Sequence, residues 1–120
     1  MSAAVVWVNH SEAKIFRLMP NQKPVGEKLE GGPHGHNDGK KQHDIDKFFH
    51  TLSGRLDGVK EVLLVGPGTA KQEYKHYLEK HNAALAKCIV GMENADHPTD
   101  NQILALARKF FHAYDLYSGT

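Results

Sequence analysis

Apolar and polar positions at the amino-terminal end of the chain follow the two-residue period of β-strands. Residues 3–8, AAVVWV, form a continuous apolar run, and residues 13–18, AKIFRL, alternate in polarity. The polar residues 9–12 between them predict a short connection, so the pair is predicted to form a β-hairpin. Residues 24–29, PVGEKL, predict a third and poorer strand, because Pro24 cannot donate to a ladder and belongs at a strand start or edge.

The period then changes to that of a helix. Asp44 is predicted to cap a helix whose apolar side chains recur at spacings of three and four and therefore share one face. Asp57 and Gly58 are predicted to end it. The side chains of this stripe are those of Ile45, Phe48, Phe49, Leu52 and Leu56.

The remaining residues alternate strand and helix signals. Residues 61–65, EVLLV, and residues 86–91, AKCIVG, are apolar runs of strand length. Between them, Thr69 and the glutamine three residues later predict a capping box at the start of a second helix. The same arrangement at Thr99 predicts the start of a last helix. The apolar stripe of that helix consists of Ile103, Leu106, Ala107, Phe110 and Tyr114.

This order of elements predicts an α/β fold in a single domain spanning residues 1–120. Its sheet is predicted to be mixed, because a hairpin is antiparallel and a βαβ unit is parallel. About three helices are predicted to cover the sheet.

Composition narrows the functional classes. The chain is 40% apolar and 24% charged, with a net charge of +1, which is typical of a globular protein and far from the basic excess of an autonomous nucleic-acid binder. We therefore expect no DNA partner, and only local contacts with any RNA. The apolar runs are too short to span a membrane, a signal peptide is not evident, and the single Cys88 precludes an internal disulfide. These features predict a cytoplasmic protein.

One segment, EGGPHGHNDGKKQHD at residues 30–44, differs from the rest in its glycine, histidine and lysine content. We predict a flexible loop at residues 30–43, because long polar loops on a rigid scaffold are usually functional. Flexible backbone and positive charge together favour contact with an RNA backbone. The predicted contact residues are Gly31, Gly32, His34, His36, Lys40, Lys41 and His43.

Two weaker sites are also predicted. His34, His36 and His43 have the right side chains for a transition metal, although no fixed ligand spacing supports them, and a solvated loop is favoured. Gly66, Gly68 and Thr69 form a strand-to-helix turn that would expose backbone N–H groups to phosphate, yet the turn lacks the spacing of known phosphate loops. We predict no resident cofactor and no catalytic nucleophile.

Several strings resemble the middle domain of eukaryotic class-1 peptide release factors and of Pelota, in the form found as small stand-alone bacterial proteins. They are VVWVNHSEAKIFRL, FFHTLSGRLDGVKEVLLVGPGTAKQEYKHYL and MENADHPTDNQILALARKFF. The similarity runs from about Val5 to Phe111, and its most specific parts are LLVGPGTAK and DHPTD.

The resemblance implies that the segment 30–43 corresponds to the loop whose tip reads Gly-Gly-Gln in release factors. There, the glycines let the backbone enter the peptidyl-transferase centre, and the glutamine helps to place a water for ester hydrolysis. This chain reads Gly31-Gly32-Pro33-His34. The resemblance covers the middle domain only, so it implies neither codon reading nor, with Pro33 in place of glutamine, peptidyl-tRNA hydrolysis.

The leading hypothesis is an accessory protein of the translation apparatus that contacts ribosomal or transfer RNA through residues 30–43, in ribosome protection or rescue. The alternatives are a histidine-loop module that binds metal or responds to pH, and a protein-interaction domain or homo-oligomer that pairs through exposed strand edges at the hairpin.

Overall fold

The structure of the protein is a computed structural model that describes residues 3–19, 23–31 and 41–118, without the side chains of Lys41 and of residues 113–118. The predicted order of elements is confirmed, with one short additional helix, α3. In chain order the elements are β1 (Ala3–Val8), β2 (Glu12–Leu18), β3 (Val25–Glu30), α1 (Lys41–Arg55), β4 (Glu61–Gly66), α2 (Ala70–His81), α3 (Ala83–Ala86), β5 (Ile89–Asn94) and α4 (Asp100–Ser118).

The five strands form one mixed sheet in the order β3-β2-β1-β4-β5. β2 pairs antiparallel with β1 and with β3, whereas β4 pairs parallel with β1 and with β5. The predicted α/β fold, with an antiparallel hairpin joined to a parallel βαβ unit, is confirmed.

Both strands of the hairpin lie inside the sheet. β3 pairs with the outer side of β2, and β4 pairs with the outer side of β1. The expectation of an exposed strand edge at the hairpin is therefore wrong. Among the described strands, β3 and β5 are the outer ones.

The central position of β1 explains its continuous apolar run. Because strand side chains point alternately to the two faces, a strand covered on both faces needs apolar residues throughout. Val6 and Leu64 pack under α1 and α2 on one face, and Val5 and Leu63 pack under α4 on the other. The helix residues of the first face include Phe48, Phe49, Leu52, Tyr74 and Leu78, and those of the second are Ile103, Ala107 and Phe111.

The first helix begins earlier than predicted. Asp44 lies in the first turn of α1, which starts at Lys41, so the predicted cap at Asp44 is wrong. An aspartate is favourable in a first turn because its charge opposes the positive end of the helix dipole, and the same residue type therefore marks either position. The predicted stripe is buried from Ile45 to Leu52 on α1 and at Leu56, which directly follows the helix.

The two predicted capping boxes have different outcomes. At α4, the Thr99 amide donates to Gln102 Oε1 at 2.8 Å and the Gln102 amide donates to Thr99 Oγ1 at 3.1 Å, which confirms the prediction. At α2, Thr69 has helical φ and ψ of −104° and −2°, and its side chain makes no capping bond. Its hydroxyl donates instead to Glu73 Oε2 at 2.6 Å, so the predicted capping box there is wrong.

The last strand lies three residues beyond its predicted start. Ala86 ends α3, and β5 begins at Ile89 rather than at Ala86. Asn82 caps α3 by accepting a hydrogen bond from the Leu85 amide at 3.2 Å. The cap commits the apolar residues 83–86 to a helix before the strand begins.

Tyr74 on α2 gives the fold a pH dependence. Its ring is buried and its Oη lies 3.1 Å from Ser53 Oγ on α1. Burial raises the pKa of Tyr74 above its ordinary value of 10.0, against an opposing effect of the Ser53 hydrogen bond. Because the pKa of Tyr74 is higher in the folded protein than in the unfolded chain, its protonated hydroxyl contributes to the free energy of unfolding. The contribution is complete below pH 10 and is lost as the pH rises through the folded-state pKa.

We expect Tyr74→Phe to lower the free energy of unfolding by about 1 kcal/mol at pH 7, through loss of the hydrogen bond to Ser53. It should also reduce the decline of stability above about pH 10. Urea unfolding of both proteins between pH 7 and 11 measures this. Tyr77→Phe, which changes a half-buried ring, is the control and should reduce the decline less. An identical alkaline decline in Tyr74→Phe and the unsubstituted protein would contradict the assignment.

Within the described part of the chain, none of the helices combines the length and the apolar character needed to cross a membrane.

Candidate functional site

The carboxyl ends of four strands meet at one edge of the sheet. β1, β3, β4 and β5 run in the same direction, because β1 and β3 are both antiparallel to β2 and the others are parallel to β1. In open α/β sheets, ligands bind at this carboxyl edge, where loops leave the strands. It is the candidate functional site of the protein.

Three helices also begin at the carboxyl edge. α2 starts four residues after β4 ends, and α4 starts six residues after β5 ends. The far end of α1 is fixed at the opposite edge, where Arg55 Nη1 contacts Glu27 Oε2 at 2.6 Å and the Arg55 carbonyl accepts from the Arg17 guanidinium. The amino end of α1 therefore points toward the carboxyl edge. The partial positive charges of three helix starts favour anions there.

Gly31 marks the point where the chain leaves β3 at the carboxyl edge. Its φ of +147° lies in a region that favours glycine, and its amide donates to the Ser11 carbonyl at 3.2 Å. Next to it, Lys28 contacts Glu30 and Glu12 at 3.4 and 3.5 Å. Glu30 first, and then Glu12, raise the pKa of Lys28. The exit of the strand is thus held by backbone and side-chain contacts to the connection between β1 and β2.

The structure places only some of the predicted RNA-contact residues. Gly31 lies at the carboxyl edge, and Lys41 and His43 lie in the first turn of α1, where His43 is exposed. Glu30 belongs to β3, so the connection spans residues 31–40, shorter than the predicted 30–43. Gly32, His34, His36 and Lys40 lie outside the described residues.

The residues of the predicted metal site are also only partly described. His34 and His36 lie outside the described residues, and His43 is on α1. Within ranges 3–19, 23–31 and 41–118, histidine, cysteine and acidic side chains form no group that would hold a metal. The histidine site remains a prediction.

A buried lysine of α2, which the sequence analysis did not identify, holds the turn of Gly66, Gly68 and Thr69. Lys71 is only 2% exposed, and its Nζ donates to the carbonyls of Gly66 and Gly68 at 3.0 and 2.8 Å. Its ammonium is compensated by two backbone dipoles, which is how a buried charge is tolerated. Lys71 thus fixes the path of the backbone between β4 and α2.

A carboxylate lies beside the same turn. Glu73 Oε2 accepts from Thr69 Oγ1 and lies 3.0 Å from His10 Nε2 on the connection after β1. Asn9 shapes that connection, because its Oδ1 accepts from the amides of Ser11 and Glu12 at 2.9 and 2.8 Å. A phosphate at this turn would face Glu73 as well as the positive helix start. The phosphate site at Gly66, Gly68 and Thr69 remains a prediction.

The sequence analysis did not identify His10, Glu73 or Lys71 as residues of this site, for two different reasons. His10 and Glu73 are 63 positions apart, and no local spacing connects them. Lys71 follows a glycine-rich turn, yet a lysine on a helix is ordinarily solvated, so its burial has no sequence signal.

No protein-family model and no curated protein matches the chain. Solved structures do match. Pelota from Archaeoglobus fulgidus matches with a TM-score of 0.66 and 13% identity, over 90% of this chain and 31% of that one. The archaeal translation termination factor aRF1 matches with a TM-score of 0.65 and 17% identity, over 98% and 41%.

Dom34 from S. cerevisiae, described as a translation termination-like factor involved in RNA quality control and interacting with Hbs1, matches with a TM-score of 0.61. Identity is 15%, over 96% of this chain and 34% of that one. The chain therefore spans 31% to 41% of the length of these three structures. At these identities the similarity concerns the fold, and the protein has the fold of a domain shared by Pelota and archaeal termination factors.

Proposed function

We propose that the protein acts with the translation apparatus and contacts ribosomal or transfer RNA through residues 30–43, in ribosome protection or rescue. The observation that carries the proposal is the domain fold in common with Pelota, aRF1 and Dom34, at TM-scores of 0.61 to 0.66. The proposal places the protein in the cytoplasm, where ribosomes are an abundant polyanion. The bacterial origin implied by the sequence resemblance is part of the same proposal.

The position of Gly31 supports this proposal. The chain leaves β3 at the carboxyl edge and returns into α1 at the same edge, so both ends of the connection 31–40 are anchored to rigid elements. In the sequence, Lys40 is the last residue of this connection, and Lys41 is the first residue of α1, where the helix dipole is positive. Positive charge at such a place favours the phosphate backbone of RNA.

The proposal does not include peptide release. The sequence resemblance implies that Pro33 corresponds to the glutamine of release factors, and proline has no side-chain amide with which to place a water. We expect programmed ribosomes to release no more labelled peptide with an excess of this protein than without it.

We expect the double variant Lys40→Ala and Lys41→Ala to weaken ribosome association by about ten-fold at low salt, because each lost phosphate contact reduces the counterion release that drives binding. The measurement is co-sedimentation with ribosomes over a series of salt concentrations. The salt dependence should also become shallower in the variant.

The matched control is Lys60→Ala with Lys87→Ala. Both side chains are exposed, and they precede β4 and β5, at the edge opposite the candidate site. The control removes the same charge and should leave association within about two-fold. No co-sedimentation of the unsubstituted protein at low salt, or equal loss in both double variants, would reject the proposal.

A further inference from the structure

A cleft between α1 and α2 shares Glu73 with the surroundings of the turn after β4. It has a volume of about 540 Å³, and its walls include Gln42 and Asp46 from α1 and Lys80 from α2. A second cleft of about 390 Å³ shares Tyr77 and His81 with the first. The two rings therefore stand between two adjoining depressions on the helical face.

Three rings, those of Phe49, Tyr77 and His81, contact one another in sequence from the core to the surface. Phe49 is 1% exposed, and its ring centroid lies 5.6 Å from that of the half-buried Tyr77. His81 is exposed, and its ring lies 4.6 Å from that of Tyr77 at an interplanar angle of 38°. An outer ring supported from below in this way offers a flat surface of fixed position to a planar group.

The charges around the rings favour a cation. Among the described residues that line the larger cleft, Asp46 and Glu73 carry carboxylates and Lys80 carries an ammonium, so the lining has a negative excess when its histidines are neutral. Asp57 adds a carboxylate to the second cleft. Asp46 and Tyr77 both line the larger cleft, and burial first, and then the charge of Asp46, raise the pKa of Tyr77.

Asp46 is also held in place on its own helix. Its Oδ1 accepts from Gln42 Nε2 at 3.0 Å, one turn earlier. A positioned carboxylate beside a stacked ring is the combination that a guanidinium recognises, because this planar cation stacks on rings and donates in pairs to carboxylates. RNA is disfavoured here, because its phosphates would lie against Asp46 and Glu73.

We propose that the α1–α2 cleft binds an arginine side chain of a protein partner, with the guanidinium against Asp46 and over the rings of Tyr77 and His81. Apart from Gln42, the lining of this cleft lies outside residues 30–43, and the inference does not depend on the translation role.

The test is a titration of the isotope-labelled 120-residue protein with the peptide acetyl-Gly-Arg-Gly-amide, followed by NMR. The citrulline peptide of the same shape, which is neutral, is titrated in parallel. We expect the arginine peptide to shift the signals of Asp46, Tyr77 and His81, and to bind at least about five-fold more tightly than the citrulline peptide. Equal binding of the two peptides, or no shift at these residues, would overturn the proposal.

Two variants locate the contacts. Asp46→Asn keeps the oxygen that accepts from Gln42 and removes only the charge, so it should fold normally and weaken arginine binding by about five-fold. His81→Ala removes the outer ring and should weaken binding by about three-fold. The control Asp96→Asn removes an exposed carboxylate after β5 and should change nothing. Equal effects of Asp46→Asn and Asp96→Asn would contradict the inference.

A uridine hexanucleotide is the last arm of the experiment. We expect it to leave the signals of Asp46, Tyr77 and His81 in place. If the hexanucleotide shifts them and the arginine peptide does not, the cleft binds RNA bases and the arginine proposal is rejected.

Discussion

Replacing Gly66 by alanine is expected to lower the free energy of unfolding by about 4 kcal/mol, through backbone strain and overlap with the neighbouring strand. Gly66 ends β4 with a φ of +153°, a conformation that L residues rarely adopt. A Cβ at this position would lie 2.3 Å from the Val8 carbonyl oxygen of β1. The neighbour is backbone in the middle of the sheet and cannot rotate away. Urea or thermal unfolding measures the loss.

Gly54→Ala is the matched control for Gly66→Ala. Gly54 lies in α1, and a Cβ there would meet nothing within 4 Å. Alanine favours the helix and restricts the unfolded chain, so this variant should gain about 0.5 kcal/mol. If Gly66→Ala is as stable as Gly54→Ala, the close approach of β1 and β4 at Val8 does not exist as described.

Local periodicity carried most of the fold prediction. The alternation of residues 13–18 and the continuous apolar run of 61–65 predicted β2 and β4, because strand patterns depend on which faces are buried. The capping box at Thr99 predicted the start of α4, since both of its hydrogen bonds form within one turn. Such signals are read within a few residues and do not need the tertiary structure.

The errors occurred where two local structures compete. Residues 41–43 are polar and carry no helical stripe, so the first turn of α1 was assigned to the loop. At α2, Thr69 and Gln72 have the right spacing for a capping box, but the helical φ and ψ of Thr69 turn its hydroxyl toward Glu73. At Ala86, where the strand predicted for residues 86–91 starts, the helix that Asn82 caps is formed instead.

The carboxyl edge was only partly predictable. A strand followed by Gly66-Pro67-Gly68 indicates a turn there, and the predicted loop at residues 30–43 indicates the exit from β3. Contacts between distant residues, such as Trp7 Nε1 donating to the Ala95 carbonyl at 3.0 Å, depend on strand order. The spacing of residues in a single sequence does not determine the order of the strands. Which loops are neighbours at the carboxyl edge is therefore known only from the structure.

Lys71→Met is expected to lower the free energy of unfolding by about 2 kcal/mol, because two charge-assisted hydrogen bonds are lost. The loss is partly offset, since the variant no longer buries an ammonium. The Gly66 carbonyl keeps its second donor, the Ala95 amide at 3.1 Å, whereas the Gly68 carbonyl loses its bond to Lys71. Methionine has a similar length, so the substitution tests the ammonium more than the packing.

The control Lys75→Met makes the same change at a half-buried position on the same helix, and should alter stability by no more than about 0.5 kcal/mol. Hydrogen exchange adds a local measurement. Without Lys71, the turn after β4 should open more often, so the Ala95 amide, which donates to Gly66, should exchange faster than in the Lys75→Met protein. Equal stability and equal exchange in the two variants would show that the buried ammonium does not hold this turn.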